Sequence, residues 1–177
     1  MNTHDSWRLL SEFTDARIAL GRCGVSLPTD EVLKFGLAHA QARDAVHKPF
    51  QSDVLRGELQ SLDLATLTVH SAATDRHCYL KRPDLGRRLS DESREVLGAY
   101  SRKGSDLIIV IGDGLSSHAV HRQAVPMVRA FLPYLAELGI SLGPVVLAHQ
   151  SRVALGDEIG ELLGSKTVAI LIGERPG

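Results

Sequence analysis

Three short aliphatic runs in the second half of this 177-residue chain limit its fold more than any other feature. They are residues 106–112 (DLIIVIG), 143–149 (GPVVLAH) and 166–173 (KTVAILIG). Strands that are apolar on both faces are typical of parallel sheets, which helices cover on both sides. Because helical sequence separates the three runs, the pattern predicts an α/β fold in which residues 105–177 form a Rossmann-like parallel βαβαβ sheet.

The two segments between these strands have helical signals. Residues 116–138 are helical in pattern, although Pro126 and Pro133 are expected to kink or break the helix before Gly139 ends it. The segment 156–164 (GDEIGELLG) has acids in its first turn and Gly164 as its stop. Right-handed crossovers through these helices place the carboxyl ends of all three strands on one edge of the sheet.

The first 104 residues are predicted to form a mainly helical region, distinct from the sheet domain of residues 105–177. One helix begins with Thr29 as its N-cap and continues to residue 47, and a second helix spans residues 52–60. Residues 64–71 (LATLTVHS) and 78–80 (CYL) alternate between apolar and polar side chains as strands do. A further helix begins near Asp91.

The composition is that of a soluble globular protein. Hydrophobic residues make up 44% of the chain, charged residues make up 23%, and the net charge of −1 provides no basic surface for nucleic acid. Cys23 and Cys78 lie far apart, which indicates reduced thiols in a cytosolic protein and excludes a paired-cysteine zinc site. The first residues lack a signal-peptide pattern, and no apolar run reaches membrane-spanning length.

The loops that follow the three strands form the predicted ligand site. They are residues 112–118 (GDGLSSH), 149–158 (HQSRVALGDE) and 173–177 (GERPG). Open α/β sheets bind ligands outside the carboxyl ends of their strands. The acid and the base in GERPG therefore suit a ligand-facing loop better than a core strand.

The sequence GDGLSS at residues 112–117 nearly matches the dinucleotide-binding fingerprint, but Ser117 replaces the third glycine. Asp113 beside the second glycine would repel a pyrophosphate, which argues against dinucleotide binding. A tight strand-to-helix turn with Ser116 as the N-cap is the favoured interpretation. A third interpretation is that this loop contacts a neutral or cationic group of a ligand.

Three histidines, His118, His121 and His149, lie near the predicted edge. His118 and His121 have a spacing that metal ligands often use on a helix, but no carboxylate or cysteine completes a ligand set at a suitable spacing. Surface histidines, or histidines with protein partners, are therefore favoured, and no metal ligand is predicted. The chain lacks the Asp-x-His-x-x-Gly motif by which some cobalamin domains supply a histidine to cobalt. It also lacks the pattern of a Ser-His-Asp triad, so no catalytic residue is predicted.

A compact basic turn contains Arg82, Arg87 and Arg88 with Asp84 between them. Arginine side chains suit carboxylates, phosphates or the acidic surface of a partner, and a solvated loop is the alternative. We expect this turn to support structure or subunit contacts rather than to bind substrate.

Taken together, these motifs resemble one family, the small (light) subunit of ethanolamine ammonia-lyase. The matching stretches follow the family's order over nearly the whole chain. They are residues 16–47, 79–90 (YLKRPDLGRRLS), 106–120 (DLIIVIGDGLSSHAV) and 151–177. Within them, RPDLGRRL and the combination of GDEIGELLG with GERPG are very specific.

The resemblance implies an adenosylcobalamin-dependent lyase that converts ethanolamine to acetaldehyde and ammonia. In that family a large (heavy) subunit carries the substrate pocket, and the small subunit covers the cobalamin at the interface of a hetero-oligomer. The chain alone would then be inactive, because the cofactor provides the difficult chemistry. By position, Val153 and Glu174 match the family's cobalamin contacts. Glu174 would accept hydrogen bonds from corrin side-chain amides, and Val153 would pack against apolar parts of the nucleotide tail.

Two departures from the family pattern lead to further expectations. Family members continue beyond GERPG with more strand and helix and with another cobalamin contact, so this chain is expected to be truncated at its C-terminus. Members destined for a bacterial microcompartment often carry a longer N-terminal targeting extension. No such extension is evident, so a cytoplasmic location and a microcompartment both stay open.

Two other functions stay open at this point. One is a dinucleotide-binding oxidoreductase domain, which titration with NAD against cobalamin would distinguish. The other is a non-catalytic scaffold subunit that only stabilises a large partner.

Overall fold

The computed structural model describes residues 9–14 and 16–174. The chain forms two compact units, one that ends at Ala42 and one that begins at Arg43. The division falls within helix α1 (Thr29–His47), which confirms the first predicted helix and has no buried residue. None of the helices among the described residues combines the length and the apolar character needed to cross a bilayer.

The second unit contains all four strands and five further α-helices among the described residues. In chain order these elements are α2 (Ser52–Gln60), β1 (Thr66–His70), α3 (Arg76–Lys81), α4 (Asp91–Gly98), β2 (Leu107–Gly112), α5 (Ser117–Glu137), β3 (Val145–His149), α6 (Leu155–Leu163) and β4 (Thr167–Ile172).

The four strands form one sheet in the order β1-β3-β2-β4, and every neighbouring pair is parallel. The predicted α/β fold with a Rossmann-like parallel sheet is therefore confirmed. All four carboxyl ends lie on one edge, as predicted for the last three strands. The sheet is also wider than predicted, because β1, from the region described as mainly helical, pairs with β3. The proposed domain boundary near residue 105 stays a prediction.

Helices cover both faces of the sheet. Ile109 and Ile111 of β2 belong to a buried cluster with residues of α2 and α5, whereas Ile108 and Val110 belong to a second cluster with residues of α4 and α6. Because successive side chains of a strand point to opposite faces, β2 requires apolar residues at every position. All six of its residues are buried.

Helix α5 continues without a break through Pro126 and Pro133, so the expected interruption is not found. Each interior proline costs a helix about 3 kcal/mol in isolation. Both prolines face solvent here, whereas Val125, Val128 and Leu135 are buried. Packing of this apolar side against the sheet stabilises the helix despite the prolines.

The prediction of a strand at residues 78–80 is wrong, because this segment lies within helix α3. Asp75 begins the helix in an extended conformation, and its Oδ1 accepts a hydrogen bond from the backbone N–H of Cys78 at 2.8 Å. A side-chain cap of this kind favours a helix over a strand. The helix also places the side chain of Tyr79 in a buried position. The alternation of three residues was too short a signal to outweigh the cap.

Two glycines in α6 contact the sheet differently. A Cβ built on Gly160 would lie 2.5 Å from Cγ2 of Val168 in β4, which is closer than carbon atoms approach. A Cβ on Gly156 would lie 3.4 Å from Cγ1 of the same valine, an ordinary contact. The glycine at 160 therefore lets the helix pack closely on β4.

We expect Gly160→Ala to lower the free energy of unfolding by about 1–3 kcal/mol, because the added methyl group overpacks this contact. Gly156→Ala is the matched control. It should leave stability unchanged or raise it by up to about 1 kcal/mol, since alanine is the better helix former. Urea denaturation of the two variants measures both values. Equal effects would show that close packing of Gly160 on β4 is not what distinguishes the two glycines.

Candidate functional site

The turn after β2 is built around a buried acid. Asp113 is only 3% exposed, and its carboxylate accepts backbone hydrogen bonds from Gln150 and Ser151, both at 3.0 Å. Arg76 lies beside it, with Nη1 3.5 Å from Oδ2. Burial raises the pKa of Asp113, while these hydrogen bonds and Arg76 act in the opposite direction. The carboxylate thus faces the protein's own backbone rather than a ligand.

The rest of this turn supports the interpretation as a tight strand-to-helix connection. Ser116 is the N-cap of α5, and its hydroxyl accepts a hydrogen bond from the N–H of Ala119 at 3.4 Å. Gly114 has a φ of +52°, and a Cβ there would lie 2.4 Å from the carbonyl oxygen of Gly173. The space that the second glycine of a dinucleotide fingerprint keeps for a pyrophosphate is filled here by the end of β4. The geometry therefore argues against dinucleotide binding.

The structure places Val153 and Glu174 in loops on the same edge of the sheet. Val153 follows β3 and is 51% exposed, which is unusual for a valine in a well-packed domain. Glu174 follows β4 and is exposed, and it forms no ion pair with a described residue. Arg175, the base that follows Glu174 in the sequence, lies outside the described residues. The cobalamin contacts themselves stay a prediction.

An aromatic and arginine cluster at this edge was not predicted from the sequence. The Tyr79 ring has the guanidinium carbons of Arg76 and Arg152 4.8 Å and 4.5 Å from its centroid. Its hydroxyl donates to the backbone carbonyl of Ser151 at 2.9 Å. Burial is the main reason that the pKa of Tyr79 is raised to about 12, so this side chain is neutral. The cluster was not predicted because residues 78–80 were expected to form a strand, in which the side chain of Tyr79 would have a different direction from the one it has in helix α3.

Three buried side-chain polar atoms have no hydrogen-bond partner within the part of the chain that the structure describes, and all three are at this edge. They are Nη2 of Arg76, Oγ of Ser151 and Nε of Arg152. A buried donor without a partner costs free energy, so such atoms often mark a place where a ligand or water binds. Their grouping beside the Val153 loop is consistent with a binding edge.

Each of the three histidines near this edge has a partner in the protein. His118 Nδ1 lies 3.2 Å from Nζ of Lys48, and His121 Nε2 accepts from the N–H of Gln51 at 3.0 Å. His149 stacks on His70 with their centroids 4.4 Å apart. The interpretation as surface or partnered histidines is therefore confirmed. Among the described residues, no group of His, Cys, Asp or Glu side chains has the arrangement of a metal site.

The basic turn has an internal ion pair and backbone hydrogen bonds to neighbouring segments, including one from the N–H of Ala72 to the carbonyl oxygen of Arg88 at 2.8 Å. Arg82 binds Asp84 with two hydrogen bonds, of 3.0 and 2.7 Å, on the surface. The backbone carbonyl of Gly86 accepts from the N–H of Arg152 at 2.8 Å, which attaches the turn to the loop of Val153. Arg87 and Arg88 are exposed and form no ion pair with a described residue. A structural role for the turn is therefore supported, and its subunit contacts stay a prediction.

Comparison with known proteins identifies one family. The family model for the ethanolamine ammonia-lyase light chain (EutC) matches residues 4–177. Proteins named ethanolamine ammonia-lyase small subunit from Pseudomonas fluorescens Pf-5, Rhodopseudomonas palustris BisA53 and Xanthomonas campestris pv. campestris ATCC 33913 are each 54% identical to this chain. The alignments cover 99%, 99% and 98% of the chain and 65%, 67% and 65% of those relatives. The chain thus spans about two thirds of the length of the curated relatives that it matches.

The half-buried histidine at the end of β3 leads to a pH prediction. Burial, and then the neighbouring His70, lower the pKa of His149 from 6.5 to about 4. The folded state therefore prefers the neutral ring, and its stability should be complete above pH 6.5 and fall as the pH decreases towards 4. His149→Asn, which cannot gain this proton, should have a shallower decrease in unfolding free energy over that range.

Urea denaturation at a series of pH values measures this slope. Gln123→Asn, an exposed substitution that removes no titratable group, is the control and should leave the wild-type slope unchanged. An identical slope in wild type and His149→Asn would show that His149 is not the group responsible.

Proposed function

Since this chain belongs to the ethanolamine ammonia-lyase light-chain family, we propose that it is the small subunit of an adenosylcobalamin-dependent ethanolamine ammonia-lyase. In this function it covers the cobalamin at the interface with a large subunit, and the complex converts ethanolamine to acetaldehyde and ammonia. The match of the family model across residues 4–177 is the observation that carries the proposal.

The residues at the carboxyl edge of the sheet have the chemistry that cobalamin requires. The corrin ring carries amide side chains, which are hydrogen-bond donors, and Glu174 presents an exposed carboxylate that accepts such bonds. Val153 presents an exposed apolar surface, and buried donors of Arg76 and Arg152 lie at the same edge of the sheet. An acceptor, an apolar contact and donors without partners on one edge fit a large amphipathic cofactor.

In this function the chain binds the cobalamin, orients it and helps to enclose it. When bound, adenosylcobalamin supplies radical chemistry through its carbon–cobalt bond. Asp113 is occupied by backbone N–H groups and Tyr79 is neutral, so neither side chain is available as a general base at this edge. Glu174 fixes the orientation of the corrin by accepting hydrogen bonds from its amide groups. Val153 excludes water from the contact between this edge and the cofactor.

The first unit supports assembly with a large partner. None of the residues of α1 is buried, although the helix carries four large apolar side chains that are about half exposed or more: Val32, Leu33, Phe35 and Leu37. A helix with apolar residues on several sides is normally covered by other protein. A hetero-oligomer in which the large subunit covers this helix removes that surface from water.

Co-expression with a large subunit of the same family tests the proposed function. The purified complex should bind adenosylcobalamin, seen in its visible absorption spectrum, and release ammonia from ethanolamine. The large subunit without this chain should have little or no activity, and this chain alone should have none. Ethanolamine turnover by the isolated chain, or full activity of the large subunit without it, would contradict the proposal.

Replacement of one oxygen tests the role of Glu174. Glu174→Gln keeps the shape of the side chain but removes the charge, and hydrogen bonds to a charged acceptor contribute about 1.5–3 kcal/mol. Because about 1.4 kcal/mol corresponds to one decade, the variant complex should bind cobalamin about tenfold more weakly or worse, with an unchanged melting temperature.

Glu161→Gln is the control for this substitution. Glu161 is an exposed glutamate near the C-terminal end of α6, which is the end away from the Val153 loop. It should leave cobalamin affinity unchanged. If Glu174→Gln affects affinity no more than this control, Glu174 is not a cobalamin contact.

A further inference from the structure

The buried Asp113 holds the loop that leads to Val153. Its Oδ2 accepts from the N–H of Gln150 and its Oδ1 accepts from the N–H of Ser151, both at 3.0 Å. Gln150 has a φ of +52°, a left-handed conformation that side chains other than glycine seldom adopt. Such a conformation persists only where the surroundings determine it, and the carboxylate supplies two of the bonds that do so.

Arg76 adds a third connection to the same loop. Its Nη1 lies 3.5 Å from Oδ2 of Asp113 and 3.4 Å from Oε1 of Gln150, while its Nε donates to the carbonyl oxygen of Val46 at 2.6 Å. The guanidinium is itself largely buried. The turn, the loop after β3 and the start of α3 are therefore joined through one carboxylate.

The turn that contains Asp113 also holds the residue before Glu174. The carbonyl oxygen of Gly173 accepts from the N–H of Leu115, and from the N–H of Ser116 at 2.8 Å. A Cβ on Gly173 would lie 2.0 Å from the carbonyl oxygen of Ser116, so the two backbones are in direct contact. Val153 and Glu174 are thus attached, within one to three residues, to the same turn.

Stability alone is a weak explanation for this arrangement. A buried ion pair is often no more stabilising than apolar residues of the same volume, because both charges lose their hydration. Burial of a carboxylate at this place is better explained by the fixed geometry that it gives to two backbone N–H groups. A fixed geometry is what a binding site for a rigid cofactor requires.

We propose that Asp113 is a positioning residue for the cobalamin site: through Gln150, Ser151 and the turn before α5, it sets the relative placement of the Val153 loop and the Glu174 loop. This inference rests on the proposed function, since it assumes that both loops contact cobalamin. The carboxylate of Asp113 binds the Val153 loop, and the backbone of Leu115 and Ser116 in the same turn binds the Glu174 loop, so Asp113 acts on the site without contacting the cofactor.

A second aspartate provides a matched control at the other end of the same strand. Asp106 precedes β2, and its carboxylate accepts from the N–H of Ser141 at 3.0 Å, from the hydroxyl of Ser141 at 2.5 Å and from Lys166 at 2.6 Å. These partners hold the amino edge of the sheet, away from both proposed contacts. Loss of Asp106 should therefore reduce stability without moving the cobalamin site.

The experiment compares Asp113→Asn with Asp106→Asn in the complex with the large subunit. An asparagine side chain has one acceptor oxygen, so it can bind only one of the two N–H groups that Asp113 holds. Titration with adenosylcobalamin should give about tenfold weaker binding for Asp113→Asn and less than about twofold weaker binding for Asp106→Asn. Amide hydrogen exchange without cobalamin should be faster at Gln150 and Ser151 in Asp113→Asn alone.

The outcomes separate the two proposals. Equal cobalamin affinities for the two variants and for the wild type, with the wild type binding well, would overturn the role of Asp113 and leave the proposed function intact. Failure of the wild-type complex to bind cobalamin would overturn both. If Asp113→Asn does not assemble, Arg76→Gln replaces it, because it removes the third connection and keeps the carboxylate. Unchanged affinity in Arg76→Gln would then overturn the inference.

Discussion

Strand β2 is hydrogen-bonded to β3 on one side and to β4 on the other, and the edge of the sheet is organised around the turn that follows it. The side chain of Asp113 binds the backbone after β3, and the backbone of Leu115 and Ser116 binds the end of β4. Two loops that are distant in sequence are thereby fixed to one short segment. Because all six residues of β2 are buried, this segment has a rigid base.

The physical properties of the chain differ between its interior and this edge. The interior contains aliphatic clusters on both faces of the sheet, which stabilise the fold without chemical specificity. At the edge lie an exposed valine, an exposed glutamate and buried arginine atoms without partners among the described residues. In the proposed function, this chain therefore contributes shape and hydrogen bonds, and the cofactor and the large subunit contribute the reaction.

Much of the fold could be predicted because β2, β3 and β4 have strong local signals. The addition of β1 to the sheet could not, since Thr66–His70 alternates in polarity like a half-exposed strand and lies at the sheet's edge, where that alternation is tolerated. The position of the Tyr79 side chain between two arginines was not predicted, because residues 78–80 form a capped helix and not the expected strand. The role proposed for Asp113 depends on contacts with residues 37 and 38 positions later, which no local pattern contains. Placement of Val153 and Glu174 on one edge followed from parallel strand order, although their assignment to cobalamin came from family resemblance.

Hydrogen exchange of the assembled complex, with and without adenosylcobalamin, tests most directly whether this edge is the cofactor surface. We expect cobalamin to protect backbone amides in residues 150–153 and at Gly173 and Glu174. Amides at the opposite edge, in residues 139–143, should exchange at the same rate in both states. Protection confined to the opposite edge, or to the helices alone, would contradict the placement of the cobalamin site at the carboxyl ends of β3 and β4.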